Sequence, residues 1–367
     1  MHEVPQDGER TGVGVFERKG NRVANTEART KVGRPKDEHR EFALYMRVLC
    51  NVKFSMPMPD TSPAFDAHRA AVRERLRTSG LGRAGRGSVS WTINREIIVV
   101  AGWGRAILMQ LAHPLVAAGV NDHSRFRAGF TTRLERLRTT VGAMRSLTFG
   151  DDEEAIAVAA RINAIHDRVF GRLDTGAGPF PAGTPYSAHA PELLRWVHAT
   201  LVDSIPRAYE LLVGPLTADE RNNYCAEAAV MEPLLDITGG SVPRCSVELD
   251  GYIRSVLESG PLAITDTGRS LARAVLFPPA WWLLWPLFRP VQLITIGLLP
   301  ASIRDAYGFP WTPKHARALT RWATALRWFR QVAPARVHDW PAARRPPEPT
   351  PIEHAPPAET ARDHVWH

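Results

Sequence analysis

Histidine carries the chemistry this sequence offers, because several histidines sit inside or at the ends of apolar runs. In RAILMQLAHPLVAAGVNDHSRF, His113 interrupts an apolar stretch just before Pro114, and His123 follows ten residues later at a polar end. The plain reading makes His113 a hydrogen-bonded core side chain and His123, with Ser124, a helix cap. The functional reading takes in Arg105 and Arg127 nearby. A guanidinium fork beside an apolar pocket matches the carboxylates of an anionic ligand such as a porphyrin's propionates.

His166 falls in RINAIHDRVFG, where Ile162, Ile165 and Val169 mark the apolar side of a helix. A neutral imidazole there can donate one nitrogen to iron while an acceptor fixes the other. Taken alone, its first reading is a core or boundary histidine and the iron ligand its second. His198, in LLRWVHATLVDS between Trp196 and Asp203, has the same two readings. In RLERLRTT, Arg133, Arg136 and Thr140 recur about one turn apart and share a helix face. That face is either solvated or a set of donors over a cofactor, helping to polarise bound dioxygen. A third arrangement, His113, His123 and His198 around a nonheme metal, lacks a close carboxylate–histidine pairing to favour it.

Common catalytic signatures are missing: the sequence has no GxGxxG after a strand, no Walker A loop, no HExxH, no GxSxG and no CxxCH. The elements that must position the histidines read as helices. After Thr92, a candidate N-cap, the apolar residues from Ile97 to Val116 are too dense for a one-faced surface helix and predict a central helix or a pair of them. Further helices are predicted over 131–147, 152–170, 191–213, 217–233 and 313–332, and strand-like alternation is hard to find. The most apolar window, 275–300, holds three tryptophans, but Arg289 and prolines at 278, 279, 286 and 290 argue against one regular spanning helix. A broken buried helix pair is the first reading of it, and a surface in peripheral contact with a membrane the second.

With 367 residues and 44% apolar content, the chain can bury a substantial core. Its net charge of +8 is spread without a dense basic run beside aromatics, which speaks against a nucleic-acid groove. Three cysteines, Cys50, Cys225 and Cys245, form no CxxC pair, so neither a disulfide framework nor a thiolate zinc site is expected. That usage and a polar start without an export signal predict a cytoplasmic protein. Residues 1–55 read as disordered or as an extension, with Met56 a candidate start, and 341–367 as a Pro-rich flexible tail. Between them, 60–335 reads as a single large, mainly α domain.

The order of the motifs is more informative than any one of them. GRAILMQLAHPLVAAGVNDHSRF, RLERLRTT, FGDDEEA with INAIHDRVFG, YSAHAPELLRWVHATLVDS and LLPASIRDAYGFPW follow one another over about 90–330. In that order they resemble the oxygenase family that groups MpaB-type ER-bound oxygenases with the rubber oxygenases called latex clearing proteins. The resemblance implies a helical fold with a globin-like pocket for noncovalent heme b, in keeping with the missing CxxCH. It implies a heme-dependent oxygenase using dioxygen on a hydrophobic, unsaturated substrate such as an isoprenoid or lipid chain, with an electron donor as a possible partner. A non-catalytic helical protein that binds heme or a hydrophobic ligand is the alternative.

Carried over residue by residue, the family pattern makes His166 the iron ligand and places Arg136 and Thr140 on the oxygen side. His113, His123, His198, Arg105 and Arg127 would support the cofactor or its propionates. The rubber-cleaving branch has a lysine just before that threonine; Thr139 stands here, which argues against polyisoprene as substrate.

Overall fold

The computed structural model describes residues 62–123, 130–277 and 285–344, with the side chains of 130–138 and 285–288 outside the description. The expected 1–55 extension, Arg127, the centre of the 275–300 window and most of the 341–367 tail therefore lie outside the described residues. Within them the chain is mainly helical.

Helix starts follow capping chemistry. The first helix, α1 (Pro63–Ser79), is capped by Ser62, whose side chain accepts from the Phe65 amide, and it stops at Gly80 with φ 65°. After a short α2 (Val89–Asn94) and a 3-10 turn (Ile97–Val99), the dense apolar run forms two helices, α3 (Val100–Leu111) and α4 (Pro114–His123). They meet at 103°, with His113 just before the bend, because Pro114 has no amide hydrogen to continue the first helix. Next come α5 (Phe130–Phe149) and α6 (Asp152–His166), the latter capped by Asp151 and carrying Asp152, Glu153 and Glu154 at its positive end.

The helix predicted over 152–170 stops early. Phe170–Arg172 is instead strand β1, paired antiparallel with β2 (Pro185–Ser187) in a two-stranded hairpin. Three-residue strands are too short to show alternation in sequence, which is why the hairpin was not expected. The long α7 (Pro191–Leu212) follows, then α8 (Ala218–Ala228) with a Thr217/Glu220 capping box, and α9 (Met231–Leu235). The predicted 217–233 helix is thus broken in two. The chain continues through α10 (Ser246–Glu258), α11 (Asp266–Leu276), α12 (Trp285–Leu298), α13 (Ala301–Ala306) and α14 (Pro313–Val332) to the short α15 (Ala335–His338) and α16 (Pro341–Arg344). The last of these helices covers the first four residues of the predicted tail.

Helix α3 is the hub, packed lengthwise on α7 and also on α11 and α12. The approach depends on Gly102: a Cβ there would lie 2.7 Å from the Ser204 carbonyl oxygen. Trp91, Ile97, Leu108, Met109, Trp196, Ile205 and Leu212 fill the main core. A second cluster joins α1, α6 and α9 through Val72, Ile156, Ala159 and Leu234, and a third seats the hairpin on α4 through Leu115, Leu173, Tyr186 and Leu193.

In the described part of the apolar window, α12 turns Gln292, Ile294 and Thr295 inward, where the Thr295 hydroxyl bonds the Ala101 carbonyl at 3.4 Å. No single described helix is long and apolar enough to cross a membrane, though α3 and α4 as a bent pair pass by length and composition.

Candidate functional site

The last turn of α6 fixes His166. The Asn163 side chain donates to the Leu234 carbonyl at 3.1 Å, tying the helix end to α9. The chain then turns with Val169 N–H on the His166 carbonyl at 2.9 Å before entering β1. Beyond β2, His189 comes back against this end, its ring 5.8 Å from that of His166 and nearly perpendicular to it.

Three histidines thus surround one aspartate, and they are not equivalent. Asp167 pairs with His189 Nε2 at 2.7 Å through one oxygen and with His68 Nε2 at 3.0 Å through the other. Nδ1 of His166, by contrast, is buried without a hydrogen-bond partner. Burial first, and then the neighbouring His189, push the His166 pKa down to about 4. At neutral pH it is an uncharged imidazole with an uncommitted nitrogen, the state a metal ligand requires. The donor chemistry therefore fits heme iron. His68, Asp167 and His189 were not singled out from sequence, although His189 lies inside the quoted YSAHAPELL motif.

His113, at the bend between α3 and α4, is buried, its Nδ1 is also unpartnered, and its ring lies 5.3 Å from Phe180 of the hairpin loop. Burial holds its pKa down to about 4. His123 is exposed at the end of α4, and its Nε2 is 2.9 Å from the Phe170 carbonyl, so it ties that helix to β1. Tyr186 donates to Asp122 beside it at 2.5 Å. His198 is buried in α7, with a pKa near 4 set mainly by burial, and its charged neighbours are Glu232 and Arg244.

Arg105 has a structural engagement. It is buried in the α3–α7–α12 interface, with Nη1 2.6 Å from Asp203 Oδ2 and 2.5 Å from Ser204 Oγ, and Nε 2.7 Å from the Leu298 carbonyl. Arg136 lies on α5 with its side chain outside the description, and Thr140, one turn on, is exposed. The nonheme arrangement is not assembled: among the described residues the donor atoms of His113, His123 and His198 do not come together as a metal-binding group. A groove of about 660 Å³ lined by Arg195, Ser241, Val242, Glu248 and Tyr252 contains none of the predicted site histidines.

The depressed histidines make stability acid-sensitive. In the unfolded chain their pKa is about 6.5, so between about pH 6.5 and 4 the unfolded state takes up protons that the native state does not. The stabilisation is complete above the upper value and is lost as pH falls through the window. Lowering the pH from 7 to 5 is expected to cost about 2 kcal/mol for each of the buried His113 and His198, and less for half-buried His166. Urea unfolding at the two pH values checks this, and His113→Phe should narrow the difference.

Comparison with known families bears on residues 91–328, which match the family model for the ER-bound oxygenase mpaB/B'/rubber oxygenase catalytic domain. The matched span contains every histidine and arginine singled out from the sequence, while His68 lies before it. No curated protein and no solved structure gives a significant match.

Proposed function

The chain belongs to the mpaB/rubber oxygenase catalytic-domain family, and on that premise we propose that it is a heme b-dependent oxygenase acting with dioxygen on a hydrophobic, unsaturated substrate of isoprenoid or lipid type. The observation that carries the heme assignment is the uncharged His166 at the end of α6, whose Nδ1 is buried without a hydrogen-bond partner. When bound, the heme supplies the dioxygen chemistry.

His166 would hold the iron from the end of α6, in a helical pocket of the globin-like kind. Asn163 and the ion pairs of Asp167 keep that helix end in place, as supporting partners do for metal-ligating histidines. Arg136 and Thr140, one turn apart on α5, supply a cation and a hydroxyl donor on the oxygen side. His113 and Phe180 contribute apolar and ring surface at the bend that carries α4, and His123 anchors α4 to β1. Arg127 would meet the propionates. A cytoplasmic setting, with peripheral membrane contact through 275–300, belongs to the same reading.

The test is direct. Protein reconstituted with hemin should show a Soret band and consume oxygen on addition of an unsaturated isoprenoid. Protein that binds no hemin would refute the heme assignment. Protein that binds it but consumes no oxygen with any alkene tested would be a carrier instead.

A further inference from the structure

Glu96, His338 and Asp339 lie apart from the histidine site, where the C-terminal segment crosses back to the start of the 3-10 turn. Glu96 and Asp339 face each other in an isolated antiparallel bridge, and the Trp340 amide donates to the Arg95 carbonyl at 2.9 Å. His338 Nδ1 is 3.2 Å from Glu96 Oε2 and 3.0 Å from Asp339 Oδ1. Glu96 is completely buried, and the Asp339 side chain is 11% exposed. Yet none of these three atoms makes a hydrogen bond. Three convergent buried polar atoms that face one another at ion-pair distance but complete no hydrogen bond are costly unless something else satisfies them.

We infer that Glu96 Oε2, His338 Nδ1 and Asp339 Oδ1 form a zinc site that clasps the C-terminal segment to the helical core. A zinc ion bonded at about 2.0–2.2 Å to nitrogen and oxygen donors places neighbouring donors roughly 3.0–3.5 Å apart. The two measured separations fall in that range. The other oxygen of Glu96 is occupied by Arg330, whose Nε and Nη2 donate at 2.8 and 2.7 Å, so the carboxylate is oriented with Oε2 toward the site. The other nearby cations are Arg95, with Nε 3.9 Å from Asp339 Oδ1, and Arg344, which donates to the Asp339 backbone carbonyl at 2.9 Å. One imidazole with two carboxylates and no thiolate suits zinc better than magnesium, which prefers oxygen and water, or a soft cuprous ion. A water completes the fourth position.

The clasp has a structural consequence. The next residue, Trp340, is buried and stacks on Trp103 of the hub helix α3, with ring centroids 6.5 Å apart and planes 10° apart. Zinc at 96/338/339 fixes the segment that covers this face of α3. His338 and Asp339 lie beyond the matched 91–328 span, so the clasp joins the family domain to the chain that follows it.

The test uses the full chain, stripped with chelator and dialysed, with zinc titrated by calorimetry and bound metal counted by elemental analysis. The wild type should bind one equivalent and gain thermal stability with zinc. His338→Ala, which removes a donor without stranding a charge, should weaken binding more than about tenfold and lose the thermal shift. Asp339→Asn, of the same shape, is a second variant should the first fold poorly. His166→Ala should retain zinc. Absence of zinc binding by the wild type, equal binding by both clasp variants, or loss of the zinc in His166→Ala would each overturn the site.

Discussion

His166→Ala is expected to lower hemin affinity on the order of 100-fold and to remove the histidine-ligated Soret band, while leaving the protein folded. The two halves of this prediction have separate reasons. Asp167 holds Nε2 of both His68 and His189, whereas Nδ1 of His166 is buried without a hydrogen-bond partner, and under the proposed function its loss removes the iron ligand. The fold should tolerate the change because the residue ends a helix, is only half buried, and has no Nδ1 hydrogen bond to forfeit. Alanine is also the better helix former. Hemin titration followed by absorbance, with circular dichroism and thermal unfolding on the same samples, measures both. His113→Ala and His198→Ala are the matched controls, since both residues are buried and uncharged at neutral pH. A normal Soret band in His166→Ala and its loss in His113→Ala would move the ligand to the bend between α3 and α4.

The largest stability effect is expected at Asp203→Ala. Asp203 is buried in the middle of α7 and receives Arg105 on one oxygen and Arg207 on the other, each at 2.6 Å. Arg105 is also buried, and burial already lowers its pKa despite the facing carboxylate. Removing Asp203 leaves that guanidinium with only Ser204 and the Leu298 carbonyl inside the hub interface. Breaking such a pair costs about 3–5 kcal/mol. The urea midpoint should fall accordingly without a large change in slope. Replacing both partners, Arg105→Met with Asp203→Leu, should recover most of the loss, because the stranded charge goes with its partner. Equal destabilisation in the single and double variants would mean that packing at α3–α7 dominates over charge.

The helical class was readable from apolar density and caps, because both are local. Asp151 before three acidic residues, Thr217 three residues before Glu220, and Pro114 after His113 determine helix ends through contacts within one turn. The family was readable too, from motif order. The β1–β2 hairpin was not, since its three-residue strands are defined by pairing Phe170 with Ser187 and not by any pattern along either strand.

Histidine types and helix positions were given by the chain itself, so the candidate ligands were visible as a set: His113, His123, His166 and His198. Tertiary structure decided which of their nitrogens are free. Asp167 engages His68 from α1 and His189 from beyond the hairpin, leaving His166 uncommitted, and the Phe170 carbonyl engages His123. Arg105 looked like a partner for an anionic cofactor because its sequence neighbours are apolar, but its own counter-ion is Asp203, which α7 brings across from a distant part of the chain. Glu96 and the adjacent pair His338 and Asp339 gave no sequence signal at all, since most of the matched span lies between them. Local periodicity encodes which face of a helix is buried; it carries no information about the charge that a remote helix brings to that face. For this protein the sequence determined the helices, the family and the list of candidate residues, and packing alone determined which of their ring nitrogens are engaged and which are left without a partner.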